Sequence, residues 1–339
     1  MSDNDPDART AHGAGRTVAD LGEEGVIAAA TRRVTADPRV PVGPGDDAAV
    51  VLAPDGRVVV SSDAVVEGRH FRFDLSTPEH VGRRVIAQNA ADIAAMGAVC
   101  TAFTVTLGCP ADTAAEVIER LSEGIAAGAA AAGGAVVGGD VVRTDQVIVS
   151  VTVLGDLAGR APVLLSGARP GDVLAVCGTL GHSAAGLAAL EARDAECPEV
   201  VAVYRVPEPP LAAGPTAADA GATAMTDVSD GLVRDARAIA MASRVTVDLD
   251  PAALDPQPGA PHPDPLLARA ASRRGAAALD WVLTGGEDHA LLATFPPDVV
   301  LPKGFRRIGR VLAGEPGVTV ADEPAPERGG WTSFVSNEE

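Results

Sequence analysis

Residues 78–109, PEHVGRRVIAQNAADIAAMGAVCTAFTVTLGC, join a long helix pattern directly to a strand pattern. We expect the helix over 78–98, because Pro78 suits a first helical turn and Gly97 lies near the expected end. The run 101–109 is rich in Thr, Val and Phe, which favours a β-strand. A helix followed at once by a strand indicates that one domain contains both kinds of element.

The alternation of helices and strands continues on both sides of this stretch. Before it, the pattern predicts a helix over 22–35 and a strand that starts near 58 and runs into a loop by 71. After it, we predict a helix over 112–133 and strands over 134–142 and 146–155. The last two strands are close enough along the chain for a hairpin, so this half is α+β and not a purely parallel sheet.

A turn-rich stretch at 156–170 separates this half from a second series of elements. The predicted elements there are strands 172–181, 245–249 and 289–295, helices 182–193 and 229–242, and a proline-rich surface connection at 251–265.

With 339 residues, the chain is long enough for two domains of about 150 residues each. We expect a disordered tail over 1–18, an N-terminal domain over 19–158 and a C-terminal domain over 159–339. The expected fold class is a two-domain protein, α+β with a mixed sheet in the first domain and α/β in the second.

The net charge of −19 argues against nucleic-acid binding, because a phosphate backbone repels such a protein. The charge fits simple solubility, or carboxylates clustered as metal ligands. Cys100, Cys109, Cys177 and Cys197 form no C-x-x-C pair, so zinc and a disulfide framework are not expected. Without an apolar leader or an apolar run of about 20 residues, we expect a cytoplasmic protein without a membrane partner.

Carboxylates recur where an apolar element meets a turn of small residues. They are Asp47, Asp63, Asp92, Asp140, Asp227, Asp230, Glu287 and Asp288. A charged carboxylate buried in such a place without compensation costs several kcal/mol. Each could be a half-exposed cap or turn residue, or they could converge on hard cations such as Mg²⁺, which prefers oxygen ligands.

Asp92 is the acid that is hardest to explain as a surface residue, because its helix is otherwise mostly Ala, Ile and Met. Gln88 and Asn89 lie on the same helical face, so a hydrogen-bonded polar trio is the alternative to a metal ligand. Ser229 is expected to cap the helix that follows it, where free amides suit a phosphate or only the cap itself. A P-loop is absent, and the only lysine is Lys303.

Seven segments, in this order and spacing, resemble the thiamine-monophosphate kinase family. They are GPGDDAAV (43–50), SSDAVVEGRHF (61–71), AQNAADIAAMGA (87–98), VVGGDVVR (136–143), SGARPGDVLAVCGTLGHSAAGLAAL (166–190), TDVSDGL (226–232) and LTGGEDHALL (283–292). The resemblance covers nearly the whole chain. Related enzymes of the same fold that make selenophosphate or mature hydrogenases need a terminal cysteine, which this sequence lacks.

The resemblance implies a homodimer that pairs through the N-terminal sheet, with an active site between the two domains. It implies transfer of the γ-phosphoryl group of ATP to thiamine monophosphate, with Mg²⁺ as cofactor. The implied metal ligands are Asp47, Ser61, Ser62, Asp63, Asp92, Asp140, Asp227 and Asp230, with Asp63, Asp92 and Asp227 as the catalytic residues. The implied nucleotide contacts are Gly139, Asp140 and Ser229, and the implied substrate contacts are His70, Glu287 and Trp331.

Leu165 departs from the family pattern, which usually has an ATP-contacting arginine there. Arg143 and Arg160 are the nearby candidates to replace it, and we assign Arg143 to the nucleotide site. Leu165 keeps open the alternative of a non-catalytic or weakly active paralogue that binds nucleotides or thiamine phosphates. The acids alone would also allow a metal-dependent phosphohydrolase, which the ordered motifs do not favour.

Overall fold

The computed structural model describes residues 16–33, 36–43 and 48–326. The chain separates into two compact units. The first comprises Met1–Ile93 and Val99–Ala158, and the second comprises Ala94–Ala98 and Gly159–Glu339. Both units combine a sheet with helices, which confirms the predicted two-domain fold class. No helix in the described ranges is both long and apolar enough to cross a membrane.

The first unit contains a four-stranded mixed sheet and three helices. Its elements are α1 (Val18–Thr31), β1 (Val59–Val66), α2 (Pro78–Ala95, whose last two residues belong to the second unit), β2 (Val99–Cys109), α3 (Ala115–Ala131), β3 (Ala135–Arg143) and β4 (Ile148–Asp156). The strand order is β1-β4-β2-β3, and only the β2–β3 pair is parallel. Thr17 caps α1 through a capping box with Asp20, so residues 17 and 18, which were expected in the tail, belong to the first helix and its cap.

The predicted hairpin between β3 and β4 is wrong, because β2 lies between these two strands. The connection over residues 144–147 therefore crosses the end of β2. Gly108 allows that crossing, since a Cβ at this position would lie 2.8 Å from the side chain of Thr144. Two strands joined by four residues usually pair directly, and closeness along the chain cannot reveal a third strand between them.

The two faces of this sheet have different surroundings. One face packs against helices and contains fully buried residues such as Phe103, Val149 and Val151. The opposite face exposes Val60, which is 62% accessible, together with Thr104. Because side chains alternate along a strand, Ser61 and Asp63 point towards the helical side and Ser62 towards the open side.

The second unit contains a seven-stranded sheet in the order β11-β10-β7-β9-β5-β8-β6. Its strands are β5 (Val173–Cys177), β6 (Ala224–Val228), β7 (Thr246–Leu249), β8 (Ala290–Phe295), β9 (Arg306–Leu312), β10 (Gly317–Val320) and β11 (Glu323–Pro324). Its helices are α4 (His182–Glu191), α5 (Pro198–Arg205), α6 (Ala213–Asp219), α7 (Leu232–Ser243), α8 (Pro251–Leu254), α9 (Pro265–Arg274) and α10 (Ala278–Thr284), after a 3₁₀ turn at Leu165–Gly167. Only β7 and β10 are parallel.

Asp248 of β7 connects neighbouring segments at the edge of this second sheet through hydrogen bonds. It is 5% exposed and accepts hydrogen bonds from Thr319 Oγ1 (2.7 Å), the Asp322 amide (2.9 Å) and Arg310 Nε (3.0 Å). These bonds hold a turn in which Ala321 and Asp322 both have positive φ, at 52° and 65°. Burial raises the pKa of Asp248, but the hydrogen bonds outweigh it and lower the pKa below its ordinary value.

We expect Asp248→Ala to lower the free energy of unfolding by about 2–4 kcal/mol, because buried donors lose their acceptor. A depressed pKa means that the wild-type carboxylate stabilises the fold above its unfolded-state pKa, and that this stability is lost as the pH falls through the folded-state pKa. Asp248→Asn should therefore flatten the acid limb of the stability curve. Urea unfolding between pH 7 and pH 3 measures both effects. The exposed Asp298→Ala is the control, and an equal loss in both alanine variants would contradict the assignment.

Candidate functional site

The first acidic set lies between β1 and α2, in the first unit. Ser61 Oγ donates a hydrogen bond of 2.5 Å to Asp92 Oδ2. The backbone amide of Asp63 donates to Asn89 Oδ1 at 3.0 Å, and Asn89 is fully buried. Asp63 itself is exposed and Asp92 is half-buried. The structure therefore joins the side chains of Ser61 and Asp92, and ties the backbone of Asp63 to the same helix through Asn89.

Asn89 explains why α2 carries a polar stripe. Its amide nitrogen donates to Val85 O one turn earlier, at 2.7 Å, while its oxygen accepts from β1. Asn89 thus links the helix to the strand. Asp92, one turn further along the helix, forms a second link by accepting the hydrogen bond from Ser61. Asn89 and Asp92, two members of the polar trio considered as the alternative to a metal ligand, each form a hydrogen bond to β1.

Ser62 and Asp140 occupy other parts of the same sheet. Ser62 Oγ donates to Val151 O at 3.1 Å and lies 3.0 Å from Thr152 Oγ1. Asp140 is exposed on β3, opposite Thr106 of β2, and its Oδ1 accepts from the Val141 amide at 2.8 Å. Gly139 has a packing role, because a Cβ there would lie 1.9 Å from Val105 O.

Within the described ranges, no three His, Cys, Asp or Glu side chains lie close enough to form a metal site by themselves. Two of the predicted site residues, Asp47 and Trp331, fall outside the described ranges. The side-chain oxygens that β1 and α2 bring together belong to hydroxyl and carboxylate groups, and hard cations prefer such ligands.

A pocket of about 530 Å³ adjoins Gly139 and Asp140 in the same unit. Among the lining residues that the sequence analysis missed are six from α1 and α3, namely Ile27, Ala30, Thr31, Ser122, Ile125 and Ala126. The walls are mostly apolar, and Ser122 contributes a hydroxyl from a residue only 7% exposed. The sequence feature that could have indicated this pocket is the pair of small residues Ser122 and Ala126, one turn apart on α3. Small residues at this spacing also occur in ordinary helix packing.

The second acidic set lies at the end of β6, in the second unit. The buried Asp227 pairs through Oδ2 with His289 Nδ1 at 2.9 Å. Asp230 is half-buried, and its Oδ2 lies 3.1 Å from Nε of Arg234. Burial, together with the charges of Asp227 and Asp230, raises the pKa of the nearby Asp235 to about 7. His289 and Asp235 were both missed, since neither stands out by spacing.

The predicted N-cap at Ser229 is wrong, because α7 begins at Leu232 with Gly231 as its cap. The amides of Asp230 and Gly231 donate instead to Asp235 Oδ2, at 3.0 and 3.1 Å. A carboxylate in the first helical turn thus reaches back to the amides that we expected to be open. The fit of a phosphate at this helix start is correspondingly poorer than the sequence indicates.

Glu287 lies in a tight loop that Asp288 holds in place. Asp288 is 2% exposed and accepts from Thr179 Oγ1 (3.1 Å) and from the amides of Gly181 (2.8 Å), His182 (3.0 Å) and Ser183 (3.3 Å). The loop uses positive φ at Glu287 (67°), and the Glu287 amide donates to Ser229 O at 2.8 Å. Asp288 therefore caps α4, whereas the half-buried Glu287 lies beside Ser229.

The remaining predicted contacts are placed as follows. His70 is half-buried, and its Nδ1 accepts from the Val66 amide at 3.0 Å, so in the neutral imidazole Nε2 carries the proton. Arg143 is exposed at the end of β3. Arg160 forms a two-pronged ion pair with Asp219, at 2.7 and 3.1 Å, which makes it a poor replacement for the arginine missing at Leu165.

The first unit, which contains the strand with Ser61 and Asp63 and the adjoining pocket, matches a known family of domains. Residues 45–157 match the protein-family model described as AIR synthase related protein, N-terminal domain. The chain is 51% identical over 318 residues to a thiamine-monophosphate kinase from Mycobacterium tuberculosis strain H37Rv, covering 94% of this chain and 93% of the relative. It is 41% identical to a thiamine-monophosphate kinase from Corynebacterium glutamicum, with 94% and 96% covered.

A solved structure described as AaThiL complexed with AMPPCP and TMP has a similar fold. It matches with a TM-score of 0.73 and 29% identity, and the match covers 93% of this chain and 98% of that one. The chain belongs to the thiamine-monophosphate kinase family.

Proposed function

We propose that this protein transfers the γ-phosphoryl group of ATP to thiamine monophosphate, giving thiamine diphosphate and ADP. The observation that carries the proposal is the pair of links between β1 and α2, Ser61 to Asp92 and Asp63 to Asn89, which holds carboxylate and hydroxyl oxygens in the unit that contains the pocket. The 51% identity to a thiamine-monophosphate kinase supports it. The AMPPCP and TMP bound by the similar AaThiL chain support both substrates. All of the acidic residues expected as metal ligands are present in the sequence, which gives no support to the alternative of a non-catalytic paralogue.

The reaction needs little acid–base chemistry from the protein. A phosphate monoester has a second pKa of about 6, so the attacking oxygen of thiamine monophosphate is already ionised at neutral pH. The protein must instead hold two polyanions close together and in line. A site that is rich in carboxylates and poor in lysine can do so only with cations between the carboxylates and the phosphates.

We infer that Mg²⁺ is the cation, held in the first unit by Asp63 and Asp92 with the hydroxyl of Ser61, and in the second by Asp227 and Asp230. Ser62, the other serine expected as a ligand, lies on the open side of the sheet and donates to Val151 O, so it does not share this ion. Asp140 and Asp47 complete the proposed ligands. When bound, Mg²⁺ would neutralise charge on the phosphates and orient them for in-line transfer. Ser61 keeps Asp92 oriented through its hydrogen bond, and Asn89 fixes the backbone of Asp63.

We place the nucleoside of ATP in the pocket beside Gly139 and Asp140, with Arg143 and Ser229 as further nucleotide contacts. The pocket's 530 Å³ is within the usual range for small-ligand sites, and its walls are apolar enough for a base. For thiamine monophosphate we propose contacts to His70, Glu287 and Trp331. The Nδ1 of His70 accepts from the Val66 amide, which fixes the orientation of the ring.

Ala126→Phe should raise the KM for ATP by at least about tenfold, because the new ring fills part of the pocket and a misfit of this size costs 1–3 kcal/mol. The KM for thiamine monophosphate should change little. Steady-state kinetics with each substrate varied in turn measures the difference. Ala127→Phe, one residue further along α3 and exposed, is the matched control. Equal KM values for ATP in both variants would place the nucleoside elsewhere.

We also propose that the protein is a homodimer and works in the cytoplasm. The open face of the first sheet exposes Val60 and Val142, two apolar side chains that a second copy of the chain would bury. All four cysteines are free and buried, which suits a reducing compartment.

The test of the proposed function is a product analysis. Purified protein is incubated with ATP, MgCl₂ and thiamine monophosphate, and the thiamine phosphates are separated by chromatography. We expect thiamine diphosphate to form only when Mg²⁺ is present. Free phosphate in place of thiamine diphosphate would indicate a hydrolase, and the absence of any product from folded protein at high ATP would overturn the proposal.

A further inference from the structure

Asp227 is buried at the end of β6, and the imidazole of His289 is its hydrogen-bond partner. The two side chains are 9% and 5% exposed, and Nδ1 lies 2.9 Å from Oδ2. An ionised carboxylate can only accept hydrogen bonds, so Nδ1 carries the shared proton and donates it. This bond occupies Oδ2, fixes the plane of the carboxylate and leaves Oδ1 available to a ligand.

The backbone at His289 makes this contact possible. Its amide donates to Val228 O at 2.9 Å, although the strand register pairs Val228 with Ala290. His289 therefore lies just before β8, where the chain departs from regular pairing and its side chain reaches Asp227. His289 has φ of 53°, a left-handed conformation that is uncommon outside glycine and that Asn, Asp and His adopt more often than other residues.

We propose that His289 is a positioning residue of the phosphoryl-transfer site, holding Asp227 so that Oδ1 faces a metal cation. The inference rests on the proposed function, in which Asp227 is a Mg²⁺ ligand. The neighbouring Asp230 and Asp235 are also carboxylates, and His289 is the side chain that donates a hydrogen bond to Asp227. Metal-binding carboxylates are commonly hydrogen-bonded in this way, and losing the partner costs about 10- to 100-fold in metal affinity.

Three substitutions separate positioning from packing. His289→Asn keeps the donor in place, since the Asn Nδ2 and the His Nδ1 are both bonded to Cγ, and Asn tolerates the left-handed backbone. His289→Gln moves the amide nitrogen one bond further out. His289→Gly accepts the backbone conformation but removes the donor.

The measurement is Mn²⁺ binding to the free enzyme, followed by electron paramagnetic resonance without nucleotide or substrate. It is accompanied by the Mg²⁺ concentration that gives half-maximal turnover. We expect His289→Gly and His289→Gln to weaken Mn²⁺ binding by about 10- to 100-fold and to raise the Mg²⁺ requirement, with His289→Asn within about threefold of wild type. Thermal unfolding verifies that each variant is folded.

The outcomes separate this inference from the proposed function. Wild-type protein that makes thiamine diphosphate, with Mn²⁺ affinity unchanged in folded His289→Gly or His289→Gln, would overturn the positioning role alone. Wild-type protein that neither binds Mn²⁺ nor makes product would overturn the proposed function and this inference with it. If His289→Gly does not fold, the Asn and Gln variants decide: a difference between them supports the role, and equal affinities overturn it.

Discussion

Asp92→Asn should reduce the turnover of thiamine monophosphate by on the order of 10³-fold while leaving the fold intact. A metal-bound carboxylate contributes several kcal/mol to the transition state, and each 1.36 kcal/mol is a factor of ten in rate. The fold should survive, because the amide oxygen of asparagine can still accept the hydrogen bond from Ser61 Oγ. Single-turnover measurements with saturating ATP and Mg²⁺, alongside urea unfolding, separate chemistry from stability.

Asp145→Asn is the matched control for this change. Asp145 is an exposed carboxylate in the same unit, in the connection between β3 and β4, and it is not part of the proposed site. We expect it to retain wild-type turnover, which shows that the loss at Asp92 does not come from reduced net charge. Near-normal turnover in Asp92→Asn would refute the metal-ligand role of Asp92.

Asp288→Ala should have the largest effect on stability, with a loss of about 3–5 kcal/mol in the free energy of unfolding. The substitution leaves the Thr179 hydroxyl and three buried amides at the start of α4 without their acceptor, and each unsatisfied group costs about 1–3 kcal/mol. The KM for thiamine monophosphate should rise too, because Glu287 loses its anchored neighbour. Urea unfolding and steady-state kinetics measure the two effects.

Asp288→Asn serves as the comparison. Asparagine keeps an acceptor oxygen and is a good N-cap, so it should recover more than half of the stability that alanine loses. A similar loss in both variants would mean that the negative charge matters more than the hydrogen bonds. A loss below about 1 kcal/mol in Asp288→Ala would show that water replaces the carboxylate at the start of α4.

The sequence predicts the elements around the site better than their pairing. The helix expected over 78–98 and the strands expected near 58 and 101–109 correspond to α2, β1 and β2, because their periodicity and end signals are local. The place of β2 between β3 and β4 depends on which strands meet, which local patterns do not encode. The elements α5, α6 and β9 are not predicted from the sequence, because their short hydrophobic patterns do not differ clearly from those of loops.

The site shows the same division between local and long-range information. Ser61 and Asp92 stand out in the sequence because each interrupts an apolar run, one on a strand and one on the facing helix, and their side chains are hydrogen-bonded in the structure. His289 and Asp235 are not predicted, since a buried histidine and a first-turn acid look like ordinary residues until their partners are known. The mistaken cap at Ser229 has the same origin, because the carboxylate that accepts the free amides lies six residues away.

The strand order of the first sheet also determines when that sheet can form. Among the strands that the structure describes, β1, which carries Ser61 and Asp63, pairs with β4 alone, and some 80 residues of chain lie between the two. During synthesis β1 must remain without a partner until residue 156 has emerged from the ribosome. Such a high contact order favours slow folding, in which the acidic strand is among the last parts of the sheet to become ordered.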